Sequence, residues 1–251
     1  MNRLKDKVIV VTGASSGIGR GIALACASEG ANIVVNYRNS ADRAAEVVAE
    51  IEQLGQQAVA IQANIGKVAD IESLLEKSAH QFGRIDAWVN NAGADILTSA
   101  LADAVLAEKL EHLIEVDMKG TINACRLVLP YYQAQGHGVF VNMSWDLAIH
   151  GFEGDNPQIF AATKAGVLGF TRSFARSCGP SVRANVISPG WIATAFAEEH
   201  MAEDYYKARI EEIPLARFGR PEDVAAVAVF LVSDESSYIT GEVIKVNGGL
   251  V

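Results

Sequence analysis

Between Gly138 and Lys164 the chain gathers side chains able to hold or move a proton. Asp146, His150, Glu153 and Asp155 occupy a Gly-, Asp- and Asn-bearing stretch, and Lys164 stands at the Ala-rich start of a helix. Asp146 adjoins the bulk of Trp145, where desolvation raises the pKa of a carboxyl group and lets it act as an acid. Histidine is the side chain whose ordinary titration range spans neutrality, which makes His150 a candidate. The indole N–H of Trp145 is a hydrogen-bond donor. Each of these groups is also an ordinary solvated loop residue, so the chemistry depends on what the fold brings together.

A second constellation lies near the N-terminus. Gly13, Gly17 and Gly19 surround Ser15 and Ser16 between an apolar run and a helical pattern. Glycines permit positive φ and a close backbone approach, and the helix that follows aims free N–H groups at an anion. This turn suits a dinucleotide pyrophosphate, with the two serines as extra donors, although a tight strand-to-helix turn needs the same glycines. The second apolar run ends Asn36-Tyr37-Arg38-Asn39. A dinucleotide fold places the adenosine ribose there. An acid favours a free 2′-hydroxyl, and an Arg accommodates a 2′-phosphate. Arg38 without an acid points to NADP(H) rather than NAD(H); a solvated Arg at a helix start is the plainer alternative.

The elements that must position these groups follow an alternating pattern. Strands are expected at Lys7–Thr12, Ala31–Asn36, Gln57–Ala63, Ile85–Asn90, Gly138–Ser144, Val182–Ser188 and Tyr238–Val246. The short continuous apolar runs suit strands buried on both faces of a parallel sheet. Helices are expected at Arg20–Glu29, Ser40–Leu54, Val68–Phe82, Leu101–Val116, Met118–Gln133, Pro157 or Ile159 to Cys178, Thr194–Ile213 and Pro221–Val232. Gly30, Gly55 and Gly83 close helices and Pro221 opens one. The pattern implies a single α/β domain over residues 1–251, a doubly wound, mostly parallel seven-stranded sheet with helices on both faces.

Composition narrows the partners. A net charge of -9 over 251 residues argues against nucleic acid or an anionic membrane. No apolar run approaches a membrane span, and the N-terminal run is too short for a signal segment, so a soluble, cytoplasmic protein is expected. Cys26, Cys125 and Cys178 are widely spaced, odd in number and outside any Cys/His cluster. They read as reduced, partly buried helix thiols, with no metal site.

The motifs together resemble the short-chain dehydrogenase/reductase family, in the compact branch that includes 3-oxoacyl-ACP reductases and glucose dehydrogenases. The carriers are Thr12-Gly13-Ala-Ser-Ser-Gly17-Ile18-Gly19, Asn90-Asn91-Ala92-Gly93, Ser188-Pro189-Gly190-Trp191-Ile192-x-Thr194, Ile239-Thr240-Gly241 and Asn247-Gly248-Gly249. The resemblance spans nearly the whole chain and implies a seven-stranded sheet in the order 3-2-1-4-5-6-7. It implies that Gly13, Ser15, Ser16, Gly17, Ile18 and Gly19 line the pyrophosphate and adenosine, with Tyr37 and Arg38 at the ribose. Asn64 and Ile65 fall near the adenine, Asn64 where an Asp is usual. Asn91, Ala92 and Gly93 back the cofactor ribose, while Pro189, Gly190, Ile192 and Thr194 embrace the nicotinamide. The resemblance also implies a substrate lid over about 194–213 and a homotetramer. One interface would use helices near Leu110–Gln133 and Phe160–Cys178, the other the last strand. A hetero-oligomer with an active partner subunit is the alternative assembly.

The same resemblance marks a departure. Family members reduce a ketone with a Tyr as proton donor and a Lys four residues on, on one helix face. A Ser at the end of the fifth strand binds the substrate oxygen, and an Asn on the preceding helix anchors a water linked to the Lys. Here Lys164 is present, Phe160 holds the Tyr position, Trp145 the Ser position and Asp117 the Asn position. Ser144, the neighbour, is expected to point the other way by strand alternation. Three readings are open. Asp146 or His150 supplies a relocated acid; or the substrate is an iminium or other pre-activated acceptor that needs little acid help; or the chain binds cofactor without catalysis, as a sensor or a structural partner. The bulk of Trp145, Phe152 and Phe160 would fill the pocket, or stack on a planar substrate. Glu198, Glu199, His200 and Asp204 read as the solvated face of the lid.

Overall fold

A computed structural model of the chain describes residues 2–97, 99–194 and 201–251. The seven strands are β1 (Val8–Val11), β2 (Asn32–Tyr37), β3 (Ala58–Gln62), β4 (Ala87–Asn90), β5 (Gly138–Met143), β6 (Val182–Pro189) and β7 (Val243–Val246). They form one sheet in the order β3-β2-β1-β4-β5-β6-β7, parallel throughout. The β1/β4 junction is the switch point of the winding, where ligands meet the carboxyl ends of the strands.

Strand alternation sorts the core into two layers. Ile9, Val11, Ile33, Val35, Val89, Val141 and Ile187 face α1 (Gly17–Ser28), α2 (Ala41–Gln53) and a late helix, α9 (Pro221–Val232). Val10, Val34, Trp88, Phe140 and Ala184 face α3 (Val68–Phe82), α5 (Gly120–Gln135) and α7 (Asp155–Cys178). Cys26, Cys125 and Cys178 lie buried in α1, α5 and α7. Burial pushes the Cys26 and Cys125 thiols up to about 12, which leaves them inert.

The expected elements are present, with corrections where turns compete. The pair of helices expected at Leu101–Val116 and Met118–Gln133 is one continuous run instead. It comprises α4 (Leu106–Leu113), a π-helical stretch over Ile114–Lys119 and α5. Residues 101–105 stay in turns because Val105 is extended (φ -65, ψ 152) and Lys109 Nζ bonds the Ala102 carbonyl at 2.7 Å. The loop after β5 contains a short helix, α6 (Leu147–His150), whose first N–H is capped by the Asp146 carboxylate. Helix α7 begins at Asp155 rather than Pro157, since a proline is tolerated in a first turn. The helix expected over Thr194–Ile213 is shorter, α8 (Glu203–Glu212); Thr194 is not helical, and residues 195–200 lie outside the described part. The last strand is confined to β7 because Gly241 takes φ +78 and ends the extended run expected from Tyr238.

A buried polar ladder ties the central strands to α7. Trp88 Nε1 donates to Asn90 Oδ1 at 3.0 Å, and Asn90 Nδ2 donates to Asn142 Oδ1 at 2.8 Å. Asn142 Nδ2 donates to Thr171 Oγ1 at 2.8 Å, and Thr171 donates to the Val167 carbonyl at 2.7 Å. Apolar neighbours would leave these amides unpaired, so the ladder fixes the register of β4, β5 and the helix that carries Lys164. Among the described residues no helix is long and apolar enough to cross a membrane, and no group of three His, Cys, Asp or Glu is arranged to hold a metal ion.

Candidate active site

The glycine turn and the Asn-Asn-Ala-Gly turn are built against each other. Thr12 Oγ1 accepts from the N–H groups of Asn91 and Ala92, both at 2.9 Å, and Asn91 Nδ2 returns a bond to the Thr12 carbonyl at 2.9 Å. Gly13 has φ +64, and a Cβ there would stand 2.9 Å from Ala92 Cα, so a side chain is excluded by both conformation and space. Gly19 lies against the Asn91 amide at the start of α1. Ser16 is the N-cap of α1, yet its exposed side chain makes no capping bond, while Ser15 and Ile18 are half-buried. The opening of α1 therefore faces the crevice with backbone donors to spare, as an anion site requires.

The opposite wall comes from β6. Gly17 lies across the crevice from Thr194, with 3.7 Å between an ideal Cβ position on Gly17 and Thr194 Cγ2. Ile192 is buried and pairs with Gly219, and Gly190 donates to the Val246 carbonyl at 3.0 Å. The Pro189 carbonyl accepts from the Asp146 N–H at 3.1 Å. At the β2 end, Tyr37 is half-buried and Arg38 is exposed, with no side-chain bond to a described residue. Asn64 Oδ1 accepts from Gly66 N at 3.0 Å, while Ile65 turns its side chain inward against Gly120.

Lys164 stands at the floor, 6% exposed, with Nζ 2.8 Å from Asp117 Oδ2. The contact is an ion pair without the alignment of a hydrogen bond, and a second Nζ contact reaches the Met143 carbonyl at 3.4 Å. Asp117 Oδ1 accepts from Ala94 N at 2.7 Å. The π-helical stretch carries Asp117, so one carboxylate joins α7 to the turn at Gly93. Sequence spacing offered no means of seeing this pair. Ser144 points away from the crevice side of the strand, donating from Oγ to the Lys164 carbonyl at 2.9 Å.

Phe160 and Trp145 meet edge to face, centroids 5.3 Å apart, and Lys164 Nζ lies 5.4 Å from the Phe160 centroid. Phe152 continues this aromatic arch at 6.5 Å from Trp145 and 5.8 Å from Trp191. Arg209 of α8 reaches Phe152 at 5.2 Å and Tyr205 at 4.9 Å, which docks the helix after Thr194 onto the loop after β5. Trp191, Tyr205 and Arg209 escaped sequence reasoning as site residues.

The two candidate acids each have partners of their own. Burial pushes the Asp146 pKa up, against the pull of the Asn247 amide and the Leu147 N–H. Both its oxygens are engaged, Oδ1 with Leu147 N at 2.8 Å and Oδ2 with Asn247 Nδ2 at 3.1 Å, and the residue is 2% exposed. Exposed His150 meets Lys245 of β7, Nε2 to Nζ 3.2 Å, rather than Lys164 or Phe160. The structure thus gathers Asp117, Lys164, Phe160 and Trp145, places Asp146 against Pro189 and Gly190 in the opposite wall, and turns His150 toward Lys245 of β7. Of the lid residues named for a solvated face, Asp204 is exposed, and Glu198, Glu199 and His200 lie outside the described residues.

A family model described as enoyl-(acyl carrier protein) reductase matches residues 13–251. The chain belongs to the short-chain dehydrogenase/reductase family. It is 40% identical over 250 residues to the 3-oxoacyl-[acyl-carrier-protein] reductase FabG of Thermotoga maritima, covering 99% of each protein. It is 38% identical to FabG of Staphylococcus epidermidis, covering 98% of this chain and 99% of that one. Among solved structures, a 7α-hydroxysteroid dehydrogenase complexed with NADH and 7-oxo glycochenodeoxycholic acid is 31% identical, with a TM-score of 0.89 and coverage of 99% and 96%. A short-chain alcohol dehydrogenase from Sinorhizobium meliloti, described as putative in its own name, is 33% identical with a TM-score of 0.88, covering 98% and 97%. Within this family the chain is an oxidoreductase by its relatives.

Proposed function

We propose that the chain binds NADP(H) in the crevice at the carboxyl ends of β1 and β4 and transfers hydride to or from a small organic substrate without the family's Tyr. The observation that carries this reading is the approach of Gly17 to Thr194 across a crevice floored by the Lys164–Asp117 pair. Gly13 lets the glycine turn pack against the Ala92 turn, and the uncapped start of α1 suits a pyrophosphate. When bound, the nicotinamide would supply the hydride. Gly13, Ser15, Ser16, Ile18 and Gly19 would hold the phosphates; Asn64 and Ile65 would border the adenine; Asn91, Ala92, Gly93 and Lys164 would hold the ribose beside the nicotinamide. Exposed Arg38, with no acid beside it at the end of β2, favours a 2′-phosphate and so NADP(H) over NAD(H).

The relatives named for 3-oxoacyl substrates make carbonyl reduction the parent chemistry. That reaction needs a proton for the new alkoxide, and Phe160 has none to give. A second reading, cofactor binding without catalysis, is favoured by the contact of Trp145 with Phe160 at the two altered positions. Segment 194–213 serves as the lid in this proposal, and the protein works as a cytoplasmic homotetramer. A titration of NADPH and NADH by fluorescence tests the cofactor. A panel of β-keto thioesters and aldehydes, given to the wild type and to the Phe160→Tyr/Trp145→Ser variant, tests the chemistry. Ketone turnover by the double variant alone supports a site altered away from carbonyl reduction. Equal turnover by both refutes it.

A further inference from the structure

We propose that the substrate reduced here is a planar iminium cation, a compound whose C=N bond already carries positive charge. This inference rests on the hydride-transfer reading above and names its substrate class.

Three replacements at one site share this explanation. Phe160 in place of a proton donor removes an acid that an iminium does not need. In reduction, hydride from the reduced nicotinamide bonds to the iminium carbon, the C=N π pair becomes the nitrogen lone pair, and the positive charge is cancelled. The products are a tertiary amine and oxidised nicotinamide, and no proton enters. A ketone would leave an alkoxide in need of a proton, whereas both Asp146 oxygens already accept hydrogen bonds and His150 faces Lys245.

Trp145 and Phe160 present π systems 5.3 Å apart at 63°, beside the residue that would hold the cofactor ribose. A cation against the faces of aromatic rings is attracted by their quadrupoles, and Trp is the strongest of them. The ring of Phe160 already attracts one cation, Lys164 Nζ at 5.4 Å.

Asp117 supplies the third part. A buried ammonium at Lys164 would repel a cationic acceptor through the low-dielectric floor. Asp117 Oδ2 at 2.8 Å cancels that charge where the family carries a neutral Asn. Arg209 stands beyond Phe152 and is paired with Glu212 at 2.8 Å. The site is therefore aromatic above a neutralised floor.

The test compares N-methyl-3,4-dihydroisoquinolinium with 1-tetralone, a neutral carbonyl compound of similar shape. Binding to the wild-type protein is measured by isothermal titration, and NADPH binding and oxidation are measured separately. The expected result is a dissociation constant at least about tenfold lower for the cation, with NADPH consumed by the cation and not by 1-tetralone. Asp117→Asn should weaken cation binding about tenfold and leave 1-tetralone unchanged. Phe160→Leu, which keeps apolar bulk and loses the π face, should do the same by a smaller factor. Equal or tighter binding of 1-tetralone overturns the inference. If NADPH binds but neither compound does, the inference also fails while the cofactor reading stands. If NADPH does not bind, the functional reading itself falls, and the inference with it.

Discussion

The Lys164 ammonium and the Asp117 carboxylate lie 2.8 Å apart, at 6% and 1% exposure, and the carboxylate also accepts from the Ala94 N–H. Three segments far apart in sequence thus share one buried ion pair: the π-helical stretch, helix α7 and the turn after β4. Removing one partner leaves the other charged and desolvated, which costs about 3–5 kcal/mol.

Asp117→Ala and Lys164→Ala are each expected to lose about 3–5 kcal/mol in urea unfolding. The double variant is expected to lose clearly less than the sum, because it leaves no lone buried charge. Additive losses would show that the pair is not coupled in the folded protein.

The polar ladder makes a second prediction. Thr171→Val removes the hydroxyl that accepts from Asn142 Nδ2 at 2.8 Å and leaves that buried amide group only its weak contact with Cys125 Sγ at 3.6 Å. The expected cost is about 1–3 kcal/mol by urea unfolding, with a secondary rise in the NADPH dissociation constant as α7 loosens. A variant as stable as the wild type would mean that water replaces the bond.

Two carboxylates give opposite pH effects. Asp86 at the start of β4 is driven up by burial, but Arg84, the Val8 N–H and His137 outweigh that and hold its pKa low. Its folded pKa is below its unfolded one, so its contribution is present above the unfolded value of about 3.9 and fades as pH falls through the folded value. Asp86→Ala should therefore be destabilised by about 3 kcal/mol at neutral pH, a gap that narrows in acid. Asp146 runs the other way. Its folded pKa is raised, so its contribution is full below the unfolded pKa and is lost as pH rises through the folded value. Unfolding midpoints of Asp86→Ala and Asp146→Ala measured from acid to neutral pH should diverge from the wild type in these opposite senses.

Arg38 offers a prediction on affinity. Arg38→Ala should weaken NADPH binding about tenfold to a hundredfold, the worth of one or two charge-assisted hydrogen bonds, and leave NADH nearly unchanged. Fluorescence titration reads both. Unchanged NADPH preference in the variant would remove Arg38 from the cofactor site.

Much of the fold was legible because short β-branched runs and glycine punctuation mark parallel strands and helix ends. Helices Val68–Phe82 and Pro221–Val232 begin and end where their sequence signals put them. The misreadings arose where a local turn overrode a helical or extended pattern. Residues 101–105 are held in turns by Lys109, and Gly241 cuts short the last strand. The site was legible in its residue types and not in its contacts. Asp146 looked like an acid pressed by Trp145; burial does raise its pKa, yet Asn247, from the far end of the chain, claims its oxygen. Likewise, Asp117 reaches Lys164 only through a π-helical turn that no spacing rule announces.

The central claim is that this site moves hydride without a proton donor at position 160. It is tested most directly by following the loss of NADPH absorbance in single turnover. N-methyl-3,4-dihydroisoquinolinium and a β-keto thioester are offered to the wild type and to Phe160→Tyr/Trp145→Ser. The account predicts that the wild type oxidises NADPH with the iminium alone and that the double variant gains the keto thioester. Reduction of the keto thioester by the wild type, at a rate the two substitutions do not raise, would contradict it.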